Sequence, residues 1–439
     1  MPDLSRAIAI LLLLATGCAS AARVQVDEAV QRRDSVAATE AYEAYRTRSG
    51  PDPELLAEVA AALLEQAAWS KHPAVRDAAL AELARAGTSA VAVLERLARA
   101  REVPVARARA LRLLMERGKG RVEPSLYALL DADDPTLVAD AVAAVDPGDE
   151  AALLLDLLAH PASEVRGAAA RRLASAPERG EVRRLLADVA RRDPIPAVRA
   201  AAVHALGSQG TAALPALRDR LGDPKTLVRL AVVGALVRAD GSGAMAAVAR
   251  LLATPPSPAG VEAARRILQR TDGASPPPTG VAEDAAAYLG GVLRAGSGSL
   301  RAQAGVALVS LPRVTALDGA LVAALESERD PQVRFQLARA LARRSAGDRR
   351  AVEALEAVAE GEGMAAVQAA AALARQGALR DPERLERGLR AQTPLVRAAA
   401  ARGLACAAGR PDAARQALSD RDPLVRVHAA GAIVRCTDD

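Results

Sequence analysis

Apolar positions recur along the chain with the spacing of amphipathic helices, and these helices come in pairs. Residues 316–328 (ALDGALVAALESE) form one amphipathic stretch, and residues 330–344 (DPQVRFQLARALARR) form the next. The apolar face of the second stretch recurs at intervals of four, seven and eight residues, which is the helical period, and its members are Val333, Leu337, Ala340 and Leu341. Asp330 can cap a helix that begins at Pro331. The pattern therefore predicts a helical hairpin.

The hairpin is one copy of a repeated unit. Its mark is a Val-Arg pair shortly after a proline, and the arginines of these pairs are Arg76, Arg166, Arg199, Arg229, Arg334, Arg397 and Arg426. Degenerate copies have Arg107, Ala139, Glu262, Arg301 and Gln368 at this position. Successive copies are 27 to 39 residues apart, which gives about twelve units. A single hairpin cannot bury its own apolar face, so neighbouring units must stack.

This pattern resembles HEAT repeats of the short bacterial type that also occurs in phycobilisome lyases, over residues 52–439. The resemblance implies an all-α protein, an α-solenoid (superhelix) of about twelve HEAT-like helical hairpins. We expect repeats over 52–270 and 282–439, with a proline-rich loop at 271–281 that is either a hinge or a surface excursion. A helix over 27–51 is expected to cap the N-terminal end of the solenoid.

Composition narrows the classes further. Hydrophobic residues make up 51% of the 439 residues but aromatic residues only 1%, which argues against a β-sandwich or barrel. With 25% charged residues and a net charge of +5, the chain has enough apolar material to fold and only a weak overall field. We therefore do not interpret its arginine content as a sign of nucleic-acid binding.

The N-terminus predicts export. An apolar run over residues 7–15 is about half the length that spans a bilayer, so it is typical of a signal peptide. The sequence LATGC that ends at Cys18 resembles the lipobox of bacterial lipoproteins, which implies lipid attachment to Cys18. We expect a signal peptide over 1–17 and a lipidated tether over 18–26; two or more acyl chains give stable anchoring. An ordinary secretory signal cleaved near residues 19–22 is the alternative.

Two groups of residues are candidate binding sites. The repeated arginines could stack into a stripe at the helix-packing distance, or each could pair with the capping aspartate of its own or a neighbouring unit. Ala139, Glu262 and Gln368 interrupt the row, which favours local pairing. The second group is a set of aromatic residues near the N-terminus, which either anchors a partner or packs the terminal cap; its members are Tyr42, Tyr45 and Trp69.

Cys406 and Cys436 lie thirty residues apart, at nearly equivalent positions of the last two units. They could form a disulfide in an oxidising compartment. Stacked helices are 8–10 Å apart, however, whereas a disulfide requires Cα atoms within about 6.8 Å. The spacing therefore favours two small buried thiols.

Motifs for catalysis are absent from the sequence. No histidine belongs to a metal-binding pair, and His72 and His160, which replace aspartate before proline, are interpreted as helix caps; the DADD at 131–134 is a loop in which Asp134 caps a helix. We expect no cofactor and no enzymatic activity. The leading hypothesis is a non-catalytic scaffold that binds another envelope protein, anchored in the outer membrane and facing the periplasm. A binder of anionic glycan or lipid headgroups through the arginine stripe is the alternative, and a lyase-like accessory role is a weaker one.

Overall fold

The structure is a computed structural model. It describes residues 21–437 except 89, 101–102, 118–128, 144, 178–179, 240–241, 271–279, 312–314 and 346. Within these residues every regular element is a helix and no strand occurs. Cys18 and the predicted signal peptide lie outside the described residues. None of the described helices is long and apolar enough to cross a membrane.

The hairpin predicted around Asp330 is confirmed. The Asp330 carboxylate accepts hydrogen bonds of 2.9 Å from the backbone N–H groups of Gln332 and Val333, and the helix begins at Pro331. Its predicted apolar face is buried, with Leu337 and Ala340 fully inaccessible to solvent. The capping aspartate fixes the helix start, and the apolar period fixes the face that packs.

The chain forms two compact units: residues 1–118 with 355–439 make up unit 1, and residues 119–354 make up unit 2. The helices of the N-terminal part of unit 1 are α1 (21–31), α2 (Ser35–Ser49), α3 (Pro53–Ala68), α4 (Pro73–Arg85), α5 (Val91–Arg99) and α6 (Pro104–Glu116). Those of unit 2 are α7 (Pro135–Val142), α8 (Ala151–Asp156), α9 (Ser163–Arg172), α10 (Gly180–Arg192), α11 (Pro196–Leu206), α12 (Leu214–Asp219), α13 (Thr226–Ala239), α14 (Ser242–Ala249), α15 (Pro258–Leu268), α16 (Val281–Ala295), α17 (Gly298–Leu308), α18 (Thr315–Ser327) and α19 (Pro331–Arg344). The division at residue 354 falls within α20 (Arg349–Ala359), and the C-terminal part of unit 1 continues with α21 (Gly363–Arg375), α22 (Glu383–Gly388), α23 (Pro394–Arg402), α24 (Pro411–Ala414) and α25 (Pro423–Thr437).

Unit 2 is a stack of hairpins in sequence order. The second helix of each hairpin packs against the second helix of the next, which produces the row α9, α11, α13, α15, α17 and α19. Alanine, valine and leucine fill the contacts between these helices. Residues 271–279 of the predicted proline-rich loop lie outside the described residues; the helices before and after them in the sequence, α15 and α16, both belong to this unit. The prediction that the loop is a hinge stays a prediction.

Unit 1 is a stack in which the two ends of the chain meet. Helix α25 packs against α23 on one side and against α3 and α4 on the other. We call this contact between the last and the first hairpin the seam. The predicted N-terminal cap over 27–51 therefore does not cover an open end within unit 1. It also forms parts of two helices rather than one, because the chain turns at Arg33, which has a φ of 58°, and Asp34 caps α2.

A buried acidic residue holds the seam. Glu82 on α4 is 1% exposed, its carboxylate lies 2.8 Å from Nδ1 of His428, and its other oxygen accepts a hydrogen bond from Arg435. Burial alone would raise the pKa of Glu82, but the hydrogen bonds and charges of His428 and Arg435 outweigh it and lower the pKa to about 2. The close approach needs a glycine at 431, since a Cβ there would lie 2.5 Å from Glu82 Oε2. These contacts fix the position of α25 on α4.

A second set of ion pairs joins α2 to the C-terminal hairpin. Arg46 donates two hydrogen bonds of 2.7 Å to the carboxylate of Asp412, and Arg415 donates one of 2.8 Å to Glu43. Paired bonds of this kind between arginine and a carboxylate are directional as well as strong. They hold α2 beside the seam.

The expectation of two separate buried thiols is wrong. Cys406 and Cys436 form a disulfide with a Cα–Cα distance of 5.1 Å, and Cys406 is exposed. The spacing of 8–10 Å applies to helix axes, whereas residues on facing sides of two helices lie closer together. Cys406 also lies in a π-helical turn, Gly403–Ala407, which follows α23. The disulfide links this turn to the last turn of α25.

The described part of the predicted tether over 18–26 is helical. Helix α1 begins at residue 21, and Ala22 and Val26 are buried. Arg23 in the same turns lies 3.3 Å from the carboxylate of Asp52. From residue 21 onward the segment is therefore part of the folded body, because its apolar side chains recur at helical spacing.

Candidate functional site

The repeated arginines form one recurrent contact, which we call the arginine clamp. Arg166 donates to the carboxylate of Asp193, Arg199 to that of Asp223 and Arg397 to that of Asp420, with shortest distances of 2.7, 3.0 and 2.7 Å. In each case the acidic residue lies in the next hairpin, six residues before the next arginine of the row. Arg301, one of the degenerate copies, pairs with Glu328 in the same way.

The same guanidinium groups also bind the loop of their own hairpin. Arg166, Arg199 and Arg397 donate to the backbone carbonyls of the residues six positions before them, at 2.9 to 3.0 Å. Arg229 and Arg426 make this second contact, to the carbonyls of Asp223 and Asp420, but neither forms an ion pair within the part of the chain that the structure describes. One arginine thus joins two successive hairpins where the sequence supplies an acid.

Two of the clamp carboxylates, those of Asp223 and Asp420, each accept a further hydrogen bond from a backbone N–H group. Asp223 also accepts a hydrogen bond of 2.9 Å from the N–H of Lys225. Although burial acts in the opposite direction, the hydrogen bonds from Arg199 and Lys225 lower the pKa of Asp223. The pKa of Asp420 is lowered in the same way by Arg397 and the N–H of Asp422, against burial. These contacts support the structural interpretation of the row.

The other positions of the row differ. Arg76 lies 3.8 Å from the carboxylate of Asp77, and the Nε groups of Arg76 and Arg334 are buried without a hydrogen-bond partner among the described residues. Glu262 pairs with Arg265 and Arg266 of its own helix instead of with a neighbouring hairpin. The row is therefore not a continuous exposed stripe over the described residues.

The aromatic residues lie at the N-terminal hairpins of unit 1. The hydroxyl of Tyr42, which is 1% exposed, donates to the carbonyl of Asp52 at 3.1 Å, and that of Tyr45 donates to the carboxylate of Asp52 at 3.2 Å. The guanidinium of Arg33 stacks over the ring of Trp69 at 4.7 Å. Trp69 is half-buried, and its Nε1 has no hydrogen-bond partner among the described residues. The tyrosine contacts favour packing of the terminal hairpins.

The histidine side chains differ in the contacts that they make. His160 Nδ1 accepts a hydrogen bond from the N–H of Ala162, which precedes the first residue of α9, and the side chain of His72 makes no capping bond. The prediction that these two histidines cap helices is therefore wrong. His204 lies on the surface beside Arg238, and its desolvation by neighbouring side chains, followed by the charge of Arg238, lowers its pKa. Over the residues that the structure describes, no group of three His, Cys, Asp or Glu side chains could hold a metal ion.

A groove on unit 2 is a candidate binding site for a ligand. Its volume is about 800 Å³, and it is lined by residues of α13, α15, α17 and α19, the second helices of successive hairpins. Val306 on α17 is 49% exposed on its floor, with Val261 and Ala302 beside it. We call this feature the α15–α19 groove. Sequence reasoning missed it, because it depends on four helices whose relative positions no single repeat determines.

Two polar side chains in the α15–α19 groove lack partners in the part of the chain that the structure describes. The Oε1 atom of Gln336 is buried and accepts no hydrogen bond, and Arg339, one turn further along α19, makes no ion pair. Asp330 and Glu262 also line the groove, but Asp330 caps α19 and Glu262 binds two arginines. Over the described residues the groove thus offers one cation without an ion pair beside apolar side chains, whereas the unpartnered Oε1 atom of Gln336 is buried out of a ligand's reach.

Comparisons with known proteins agree with the fold. A family model described as HEAT repeats matches residues 150–237 and 183–269, both within unit 2. The chain is therefore an all-α protein with HEAT-like hairpins stacked as in an α-solenoid, and the match supports a HEAT-repeat protein. No curated protein sequence matches this chain.

Solved structures resemble the chain at low identity. A chain from the structure that reports Kap95p binding to RanGDP has 12% identity and a TM-score of 0.39, and the alignment covers 92% of this chain and 69% of that one. A chain from the crystal structure of Kap121p has 14% identity and a TM-score of 0.32, covering 88% of this chain and 49% of that one. This chain spans about half the length of Kap121p. At these TM-scores we draw no argument from either likeness.

Proposed function

We propose that this protein is a non-catalytic interaction scaffold of the bacterial cell envelope, that it binds a segment of another envelope protein in the α15–α19 groove, and that a lipid on Cys18 anchors it. The observation that carries the proposal is the groove itself. It combines exposed apolar surface at Val306 with the guanidinium of Arg339, which makes no ion pair among the described residues. Concave sites of this composition, mostly apolar with a few placed polar groups, are typical of binding sites.

The contacts of the arginines do not favour the alternative, in which an arginine stripe binds anionic glycan or lipid headgroups. Arg166, Arg199 and Arg397 have their guanidinium groups occupied by a carboxylate and two carbonyls each. A polyanion would have to displace these bonds. No residue of the chain is proposed to be catalytic.

The lipid anchor would hold the body close to the bilayer. Helix α1 begins at residue 21, three residues after Cys18, and its Arg23 lies near the carboxylates of Asp52 and Glu58. Three extended residues span at most about 10 Å. The proposed scaffold therefore has little freedom to move away from the membrane. Its proposed location is the outer membrane, where it faces the periplasm.

Site-specific photo-crosslinking in cells tests the groove. A photoreactive phenylalanine replaces Val306, and the matched control places it at Leu395, which is 64% exposed and lies in unit 1. We expect one envelope protein to be crosslinked at 306 and not at 395. Identical products at both positions, or none at 306, would contradict the groove as the binding site.

Metabolic labelling with an alkyne fatty acid tests the anchor. We expect label in the wild type and none in a Cys18→Ala variant, which should also leave the membrane fraction. If the wild-type protein carries no label, the alternative of an ordinary secretory signal replaces the lipid anchor. The two experiments are independent, so the groove can stand without the anchor.

A further inference from the structure

We infer that a cavity at the seam of unit 1 binds the carboxylate of a ligand, which Arg426 holds as the clamp arginines hold the acid of the next hairpin. The cavity shares no residue with the α15–α19 groove, and the inference does not rest on the proposed function. Three observations carry it: an arginine oriented for a carboxylate, a serine in the place of the clamp acid, and a cavity that both of them line.

The guanidinium group of a clamp arginine uses two different edges. In Arg166, Arg199 and Arg397, Nη1 donates to backbone carbonyls of the hairpin's own loop. Nε and Nη2 donate to the two carboxylate oxygens of the acid in the next hairpin. A planar fork that is fixed at one edge presents its other edge in a set direction. The bond to the loop therefore aims Nε and Nη2 at the next hairpin.

Arg426 is oriented in the same way but has no acid. Its Nη1 donates to the carbonyl of Asp420 at 2.7 Å, which is the loop contact of the other clamps. Its Nε and Nη2 make no hydrogen bond and no ion pair with the described residues. The Nε groups of Arg76 and Arg334 also lack partners, but they are buried, whereas the half-buried side chain of Arg426 lines a cavity. A ligand can therefore reach the edge of Arg426 that holds an acid in the other clamps.

A serine stands where the clamp acid would be. Helix α25 packs against α4 at the seam, so the hairpin that follows Arg426 in the row is the one that contains Arg76. Each clamp acid lies six residues before the arginine of its own hairpin, and Ser70 lies six residues before Arg76. The hydroxyl of Ser70 accepts a hydrogen bond of 3.2 Å from the N–H of His72. The clamp aspartates accept the same bond from the N–H two residues further on, so Ser70 occupies their place without their charge.

The cavity, which we call the seam cavity, has a volume of about 700 Å³ and is lined by residues of α2, α3, α4 and α25 and of the loops that precede α4 and α25. Arg426, Ser70 and His72 all line it, and Val36, which is 66% exposed, belongs to its apolar wall. Glu40 also lines it, but this side chain is exposed and forms no ion pair with Arg426 among the described residues. Selectivity is therefore expected from the paired donors of Arg426 rather than from the net charge of the lining.

The free edge of Arg426 determines the class of ligand. Two parallel N–H groups fit the two oxygens of a carboxylate, and three clamps of this chain use that pairing. The apolar wall at Val36 can cover a hydrocarbon group attached to the carboxylate. The ligand is therefore a carboxylic acid that carries an apolar group, either a free organic acid or an acidic side chain within a peptide.

Titration calorimetry with matched acids and amides tests the site. The probes are hexanoate with hexanamide, and a blocked leucine-aspartate-leucine tripeptide with the same peptide containing asparagine. Each is titrated into the purified full chain. We expect the acid of at least one pair to bind about tenfold more tightly than its amide, because a hydrogen bond between two charged groups is stronger than one to a neutral group. The pair that binds more tightly distinguishes a free acid from a peptide side chain.

Two substitutions on one loop and helix make the test specific. Arg426→Lys keeps the charge but not the paired donors, and it should lose the preference for the acid. Arg421→Gln is the matched control, since Arg421 is exposed and does not line the seam cavity; this variant should keep the preference. Circular dichroism checks that each variant is folded.

An acid supplied by the chain itself should close the site. Ser70→Asp places a carboxylate at the clamp position, so it should abolish the preference for the acid probe. It should also raise the melting temperature of unit 1 by about 2–4 °C, measured by scanning calorimetry. Ser70→Asn, of the same size but uncharged, should do neither.

Three outcomes would overturn the inference. The first is equal binding of acid and amide in both pairs, or no binding of any probe. The second is an unchanged acid preference in Ser70→Asp or in Arg426→Lys. The third is that hexyl phosphate binds as tightly as hexanoate, which would show that the seam cavity recognises anions in general. Crosslinking at 306 is independent of all three, so the proposed function stands or falls separately.

Discussion

Two junctions between hairpins are each held by ion pairs between a basic and an acidic side chain. In one junction the base belongs to the earlier hairpin, and in the other the acid does. In unit 2, Arg199 reaches forward to Asp223 of the next hairpin in the chain. At the seam of unit 1 the acid, Glu82, belongs to the first hairpin, and the cations, His428 and Arg435, belong to the last. The clamp is part of the repeat, so it can join any hairpin to its successor. The seam contact occurs once, and it determines which two hairpins meet.

The largest effect is expected when a clamp is broken in the middle of a stack. Arg199→Ala leaves Asp223, whose side chain is 2% exposed, as a buried carboxylate without its cation. The free energy of unfolding of unit 2 should fall by about 4 kcal/mol, since removing one partner of a buried ion pair is costly. Urea unfolding followed by circular dichroism measures it. Arg339→Ala in the same unit is the control, with an expected change under about 0.5 kcal/mol; equal losses would contradict the contrast.

The stability of the seam should depend on pH, and a Glu82→Gln variant serves as the control. Because the pKa of Glu82 is lowered to about 2 in the folded protein, its contribution is complete above the ordinary pKa near 4.5 and is lost as the pH falls through 2. The loss amounts to about 3 kcal/mol. Urea unfolding of unit 1 at pH 5 and pH 2.5 should show most of it. A Glu82→Gln variant should lack this component, and identical pH slopes for both proteins would exclude it.

Removing the disulfide should loosen the seam. Cys436 is adjacent to Arg435, and its bond to Cys406 closes a loop of thirty residues. The double variant Cys406→Ser/Cys436→Ser should lose about 2 kcal/mol, and amide hydrogen exchange should accelerate at the end of α25. Added reductant should reproduce the effect in the wild type and change nothing in the double variant. Unchanged exchange in α25 would show that the disulfide does not support the seam.

The smallest effect is expected at the last arginine of the row. Arg426 donates to the carbonyl of Asp420 at 2.7 Å but makes no ion pair among the described residues. Arg426→Ala should therefore cost about 1.5 kcal/mol, the low end for a hydrogen bond that involves a charged group. If thermal and urea unfolding gave a loss equal to that of Arg199→Ala, the carboxylate would not be the main part of the clamp.

The local structure followed from the sequence wherever a short pattern determined it. The Asp-Pro start and the apolar period predicted α19 and its buried face, and Asp134 caps its helix by accepting from Thr136. Local pairing of the arginines was also anticipated. Asp193 and Asp223 precede a proline, as the predicted partners do, but Glu328 and Asp420 do not and were not anticipated; the common spacing of six residues before the next arginine would have identified them.

The remaining features depend on distances that no repeat encodes. The disulfide was disfavoured because helix axes are 8–10 Å apart, whereas facing Cα atoms can approach to 5.1 Å. The seam joins residues more than 300 positions apart, and neither Glu82 nor Arg435 stands out in its own unit. The α15–α19 groove arises from four helices, and the side chains of Gln336 and Arg339 are distinguished only by what surrounds them.

The seam also sets an order of folding. Its ion pairs join residues 346 and 353 positions apart, whereas unit 2 is a continuous segment whose hairpins contact their immediate successors. Local contacts form quickly and distant ones slowly. During synthesis unit 2 can complete its core before α25 is made. Until α25 is made, one apolar face of α3 and α4 stays uncovered. The N-terminal hairpins are thus made first and completed last, and in that interval they are the part of the chain that most needs protection from aggregation.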